Sequence, residues 1–126
     1  MNKENKGDVS HFKGLMNKTK RITKHNIFTN IPKRMAKEKV DLLLRREGIS
    51  ISRIVSHGQV THWLKQDTDE WVMLLSGAAR ILFEGRKREI SLRDGDYLFI
   101  PAGCRHRVTW TDPKRDSVWV AVEIAD

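Results

Sequence analysis

Two side chains in the second half of the chain suit interior chemistry: the carboxylate of Glu70 and the imidazole of His106. Facing each other in an apolar hollow, they can hold a divalent ion, because carboxylate oxygen and imidazole nitrogen both ligate first-row metals. Without an ion, the same pair can hydrogen-bond a small organic ligand. Gln66 stands four residues before Glu70 and offers a neutral carbonyl oxygen, a weaker ligand than imidazole for iron, nickel or zinc. His62 shares a face with Leu64 and Gln66 if the backbone is extended, since strand side chains alternate. It either supplies a further nitrogen or sits at the mouth of the hollow. Trp63, Trp110 and Tyr97 are the aromatic candidates for contact with a bound molecule, set against the ordinary use of aromatics in packing. Cys104 is read as a packed loop residue ahead of any redox role. Arg105 and Arg107 flank His106 and by alternation point away from it.

Glu70 and His106 lie thirty-six positions apart, so only a closed fold can unite them. From Ile49 onward the pattern is β: short apolar stretches, among them 71–75, 80–83, 97–100 and 117–124, separated by glycine, proline and aspartate turns. Many short strands with regular turn signals predict an antiparallel sandwich or barrel. Gly58, Gly77, Gly95 and Gly103 read as turn positions that permit positive φ, and Pro101 blocks continuation of the strand before it. Ahead of the barrel the spacing predicts a helix over about 31–47. Asn30 is its cap and Pro32 suits its first turn; Met35, Ala36, Val40, Leu43 and Leu44 form one face, and Gly48 ends it. This helix is expected to pack against the outside of the barrel.

The 126 residues allow one domain, read as a flexible basic extension over 1–24 and a single folded unit over 25–126. The formal charge of +8 is local: residues 1–24 carry a net +5, whereas residues 51–126 are neutral. A basic tail can attract nucleic acid, but it lacks interleaved aromatics and any known spacing of a nucleic-acid module, so nucleic-acid binding is not expected. The single cysteine excludes an intrachain disulfide, and no run of 18 apolar residues predicts a membrane span. With no secretory pattern at the N-terminus, a cytoplasmic location is expected.

Two stretches resemble the paired motifs of the cupin superfamily. The first runs from Gly58 through Leu64, Gln66 and Glu70 to Gly77; the second runs from Gly95 through Pro101 and Gly103 to His106. The resemblance covers about 51–124. It implies an all-β cupin-type antiparallel β-barrel or jelly roll, the double-stranded β-helix, with a site around Glu70 and His106 and a tendency to form homodimers. It also implies a divalent metal, Fe, Zn, Ni or Mn, held by Glu70, His106, Gln66 and a nitrogen from His62. The departures fall on the ligands. Where the family places two histidines this chain has Leu64, which cannot ligate, and Gln66; the family's final Asn falls at Trp110. The resulting expectation is a metal-dependent enzyme, oxygenase- or isomerase-like, acting on a small organic substrate. The alternative is a non-catalytic cupin that binds a sugar or organic acid at a degenerate metal site.

Overall fold

The computed structural model describes residues 21–126, and over that span the molecule is all β. Eight strands follow in order: β1 Lys39–Arg46, β2 Ile49–Ser56, β3 Asp69–Ser76, β4 Ala78–Phe83, β5 Ile90–Arg93, β6 Tyr97–Ile100, β7 His106–Thr111 and β8 Ser117–Ile124. They form two sheets, a five-stranded one in the order β1-β2-β8-β3-β6 and a three-stranded one in the order β5-β4-β7. Every pairing is antiparallel. Residues distant in the chain become neighbours by this route, because β8 returns to lie between β2 and β3.

The core lies between the sheets. Val72, Leu74, Trp119, Ala121 and Ile100 of the larger sheet pack against Ala79, Ile81 and Leu92 of the smaller one. Each large apolar side chain buried here contributes about 2–3 kcal/mol. The four turn glycines all have positive φ, as their positions predict, and β6 stops at Ile100 immediately before Pro101. Gly77 is the most constrained. Its φ is 119°, and a Cβ there would stand 2.5 Å from the Ser117 main chain, so only glycine fits between β3 and β4.

The helix predicted over 31–47 is absent. Residues 31–38 are irregular and Lys39–Arg46 is the edge strand β1. Val40, Leu42 and Leu44 also alternate at period two, and pairing with β2 favours that pattern over the helical one. A register shift between Leu42 and Leu44 accommodates Leu43. Gly48 is therefore part of the β1–β2 hairpin turn, with φ 77°, rather than a helix terminus. Asn30 does not cap a helix; it takes a φ of 56° in an irregular turn.

Residues 27–35 instead run against β2. Arg53 donates to the carbonyls of Ile27 (3.0 Å), Thr29 (2.6 Å) and Asn30 (3.4 Å), and Gln59 donates to the Met35 carbonyl at 3.0 Å. The basic extension expected over 1–24 lies outside the described residues except for its last four.

Candidate functional site

A partly open cavity of about 240 Å³ separates the two sheets at one end of the core. Val72, Ile81, Ile100, Val108 and Trp119 form its apolar wall, and Gln66, Glu70, His106 and Glu123 supply polar groups. Glu70 belongs to the face of β3 that also carries Val72 and Leu74, so alternation turns it inward. Its neighbours across the sheet are Ile100 on β6 and Glu123 on β8. Two carboxylates directly opposed on one face repel each other.

His106 opens β7 and is 3% exposed. Its main chain exchanges two hydrogen bonds with Leu64, at 2.6 and 3.0 Å, which draws the 58–68 connection against the barrel. The Cys104 carbonyl accepts a hydrogen bond from His106 Nδ1 at 2.9 Å. A carbonyl can only accept, so Nδ1 carries the proton, and in the neutral ring Nε2 is the remaining acceptor. The Gln66 carbonyl accepts from Gly103 N–H at 2.8 Å, and its side-chain amide donates to Glu123 at 3.4 Å.

Glu70 is 7% exposed. Burial pushes its carboxyl above the ordinary value of 4.5. The charge of His106 opposes that shift, the charge of Glu123 adds to it, and the nearby Gln66 amide weakly favours the ionised form. The Glu70 carboxylate thus faces the cavity beside the Gln66 amide and the His106 ring. Glu38 stands at the rim; it is exposed by area, yet protein on one side desolvates it and raises its pKa.

Glu70, His106 and Gln66 are thus brought together as their motif positions predict. The other candidates are not. His62 is exposed and does not line the cavity, because the segment before Leu64 is not a regular strand and alternation fails there. Trp63 lies outside, with the guanidinium groups of Arg105 and Arg107 5.1 and 5.2 Å from its ring centre. Trp110 stacks under Arg80 at 4.7 Å, and Tyr97 is 61% exposed against Trp71. Cys104 packs against the core. The aromatic side chain in the cavity is Trp119, joined by Glu123 from the same face of β8. Their signal was a carboxylate recurring at period two with a tryptophan inside an otherwise apolar strand.

The donor set does not fit a tightly held transition-metal ion. Leu64 presents hydrocarbon at one position where the resemblance implies a ligand, and Gln66 presents a neutral amide at the other. Among the described residues no three His, Cys, Asp or Glu side chains converge closely enough to hold a metal. Structural and catalytic sites of that kind use at least three strong protein donors. No helix among the described residues is long and apolar enough to cross a membrane.

Comparison with known proteins agrees with this architecture. The family model described as "Cupin domain" matches residues 53–123. A Ralstonia eutropha protein, provisionally named a mannose-6-phosphate isomerase, is 41% identical over 83% of this chain and 100% of its own, with a TM-score of 0.80. A cupin superfamily protein from Desulfitobacterium hafniense is 21% identical over 76% of this chain and 84% of its own, with a TM-score of 0.65. A cupin from Methanocaldococcus jannaschii with a double-stranded β-helix is 13% identical over 76% of this chain and 87% of its own, with a TM-score of 0.62. Among curated proteins none matches the chain. The two more distant structures support the fold alone, whereas the family match spans both motifs and the strands between and around them. This chain belongs to the cupin family.

Proposed function

We propose that this chain takes a small organic molecule into the cavity between its sheets and acts on it by proton transfer, as an isomerase-type enzyme. One observation carries the reading. Two nearly buried titratable side chains, Glu70 and His106, line the same cavity, and their charges act on one another. A raised carboxyl pKa keeps a proton available for donation, and the imidazole Nε2 is free to accept one. One group can then remove a proton from a bound substrate while the other returns one, and apolar walls limit the access of water.

The name of the Ralstonia relative supports the isomerase class. The phosphate in that name finds no counterpart, since no lysine or arginine lines this cavity. A metal-dependent oxygenase draws no support from the donor set. The second reading, ligand binding without turnover, is favoured by one feature: Leu64 and Gln66 occupy the positions where the family resemblance implies metal-binding histidines.

The test is thermal denaturation of untagged protein against hexoses, amino sugars and small organic acids, with elemental analysis of the same preparation. A ligand at about a hundred times its Kd raises stability by about 2.7 kcal/mol, a shift of several degrees in Tm. We expect such a shift, and its loss in Glu70→Gln and His106→Gln. Deuterium uptake from heavy water into the stabilising compound separates turnover from binding. If no compound stabilises the protein, or if both variants respond like the parent, the cavity is not the site.

A further inference from the structure

We propose that the outer face of the five-stranded sheet docks a second copy of this chain, face to face, about a two-fold axis that runs along β8. The inference is independent of what the cavity binds, because it concerns the opposite side of that sheet. Glu70, Val72 and Leu74 turn to the cavity side, so Trp71 and Met73 turn outward. One row of cross-strand partners then spans all five strands on the outer face: Leu44, Ile51, Val122, Trp71 and Phe99. One row on, Met73 stands between Val120 and Tyr97, and the rings of Trp71 and Tyr97 lie 5.3 Å apart. Arg53 belongs to that second row and is covered by residues 27–30. The rest of the face stays open: Tyr97 is 61% exposed, Phe99 56% and Leu44 40%.

A single exposed apolar side chain says nothing, because folded proteins leave many at the surface. Here the extent decides. With Ile49 and Ile124, the exposed parts of these side chains amount to about 600 Å² of contiguous apolar surface. The largest apolar patch on a typical monomer is about 300–600 Å². A stable interface takes about 800 Å² from each partner, of which roughly 60% is apolar, so this one face supplies what a dimer needs. Charge points to a second copy of the same chain. The row at the other end holds Arg46, Ile49, Ile124 and Asp69, in that order across β1, β2, β8 and β3. A two-fold axis along β8 lays β1 of each copy over β6 of the other. Leu44 then meets Phe99, Ile51 meets Trp71, and each Arg46 comes beside Asp69 of the second copy. The middle of the face is uncharged, so two copies close on it without burying an unpaired charge. Sheets stacked in this way lie about 10 Å apart, with their strands within about 30° of each other.

The experiment is sedimentation equilibrium of the full chain between about 1 and 100 μM. We expect twice the mass of one chain at the upper end of that range. Leu44→Glu and Phe99→Lys change positions already exposed in the single copy. Each should weaken association about a hundredfold and leave thermal unfolding cooperative. An equal mixture of the two variants should associate at least about tenfold more tightly than either alone, because in the mixed pair the new carboxylate meets the new ammonium. Phe12→Glu, in the N-terminal extension, and Arg88→Glu, on the smaller sheet's β4–β5 connection, should leave the doubled mass unchanged. A parent protein that keeps the mass of one chain at about 100 μM overturns the proposal. Association that survives both Leu44→Glu and Phe99→Lys, or is lost with Phe12→Glu instead, places the contact elsewhere and overturns it equally. A mixture no tighter than its components overturns the two-fold arrangement.

Discussion

Asp41 and Glu70 are both acidic residues on strands of the five-stranded sheet, and the protein treats them in opposite ways. Asp41 on β1 stands opposite Arg53 on β2, and the two side chains meet at 2.7 Å. The Arg53 hydrogen bond, with help from Lys39, holds the Asp41 carboxyl below its ordinary value. Arg53 also ties down the irregular segment before β1 through three carbonyls. Glu70, on the cavity side, stands opposite another glutamate, and burial raises its pKa. One carboxylate is answered within the chain and fastens the fold. The other faces the cavity beside a histidine, an amide and a second carboxylate, where we propose that a ligand binds.

The largest expected effect tests the clasp. Arg53→Met removes a guanidinium that is 8% exposed, and with it the partner of Asp41 and the anchor of residues 27–30. A loss of about 3 kcal/mol in urea denaturation is expected. A change below about 0.5 kcal/mol would mean that the clasp is ornamental and that the contrast with Glu70 has no energetic basis.

Next comes the donor set of the cavity. The double substitution Leu64→His with Gln66→His adds two imidazoles to Glu70 and His106. It should create zinc-dependent stabilisation of about 2–3 kcal/mol at saturating metal, with little in the parent. Calorimetry with and without zinc reads the difference. Equal stabilisation of the parent protein would show that the natural residues already hold the ion.

The smallest effect carries a sign. Glu70's folded pKa is raised, so its protonated form is favoured; that contribution is complete below the ordinary 4.5 and is lost as pH rises through the folded value. Glu70→Gln should therefore stabilise the ligand-free protein by about 1 kcal/mol at pH 7, with the gain shrinking toward pH 4. Asp41 has the reverse sign: its contribution is present above its ordinary 3.8 and is lost as pH falls through its lower folded value. Stability curves of parent and variant between pH 4 and 7 provide the check. A variant that is less stable at pH 7 would place Glu70 with Asp41, as a group already satisfied by the protein.

What the chain's local pattern determined was the turns, most strands and the pairing of Glu70 with His106. Gly77 and Gly95 announce positive φ because only glycine takes it freely, and the short apolar stretches between such turns have room for little but strands. The motif spacing around Gly58, Pro101 and Gly103 placed Gln66, Glu70 and His106 in one cavity. Tertiary structure decided the rest. Lys39–Arg46 contains both a helical and an alternating apolar pattern, and the hydrogen bonds of β2 choose between them. Along β8, alternation separates Trp119 and Glu123 from the valines, but only packing against the smaller sheet shows which set faces inward. The meeting of Glu70 with Glu123 depends on β8 pairing with β3, a contact between residues 53 positions apart. Local preference reaches only a few residues along a chain; the charge balance of a cavity is settled by which strands come together.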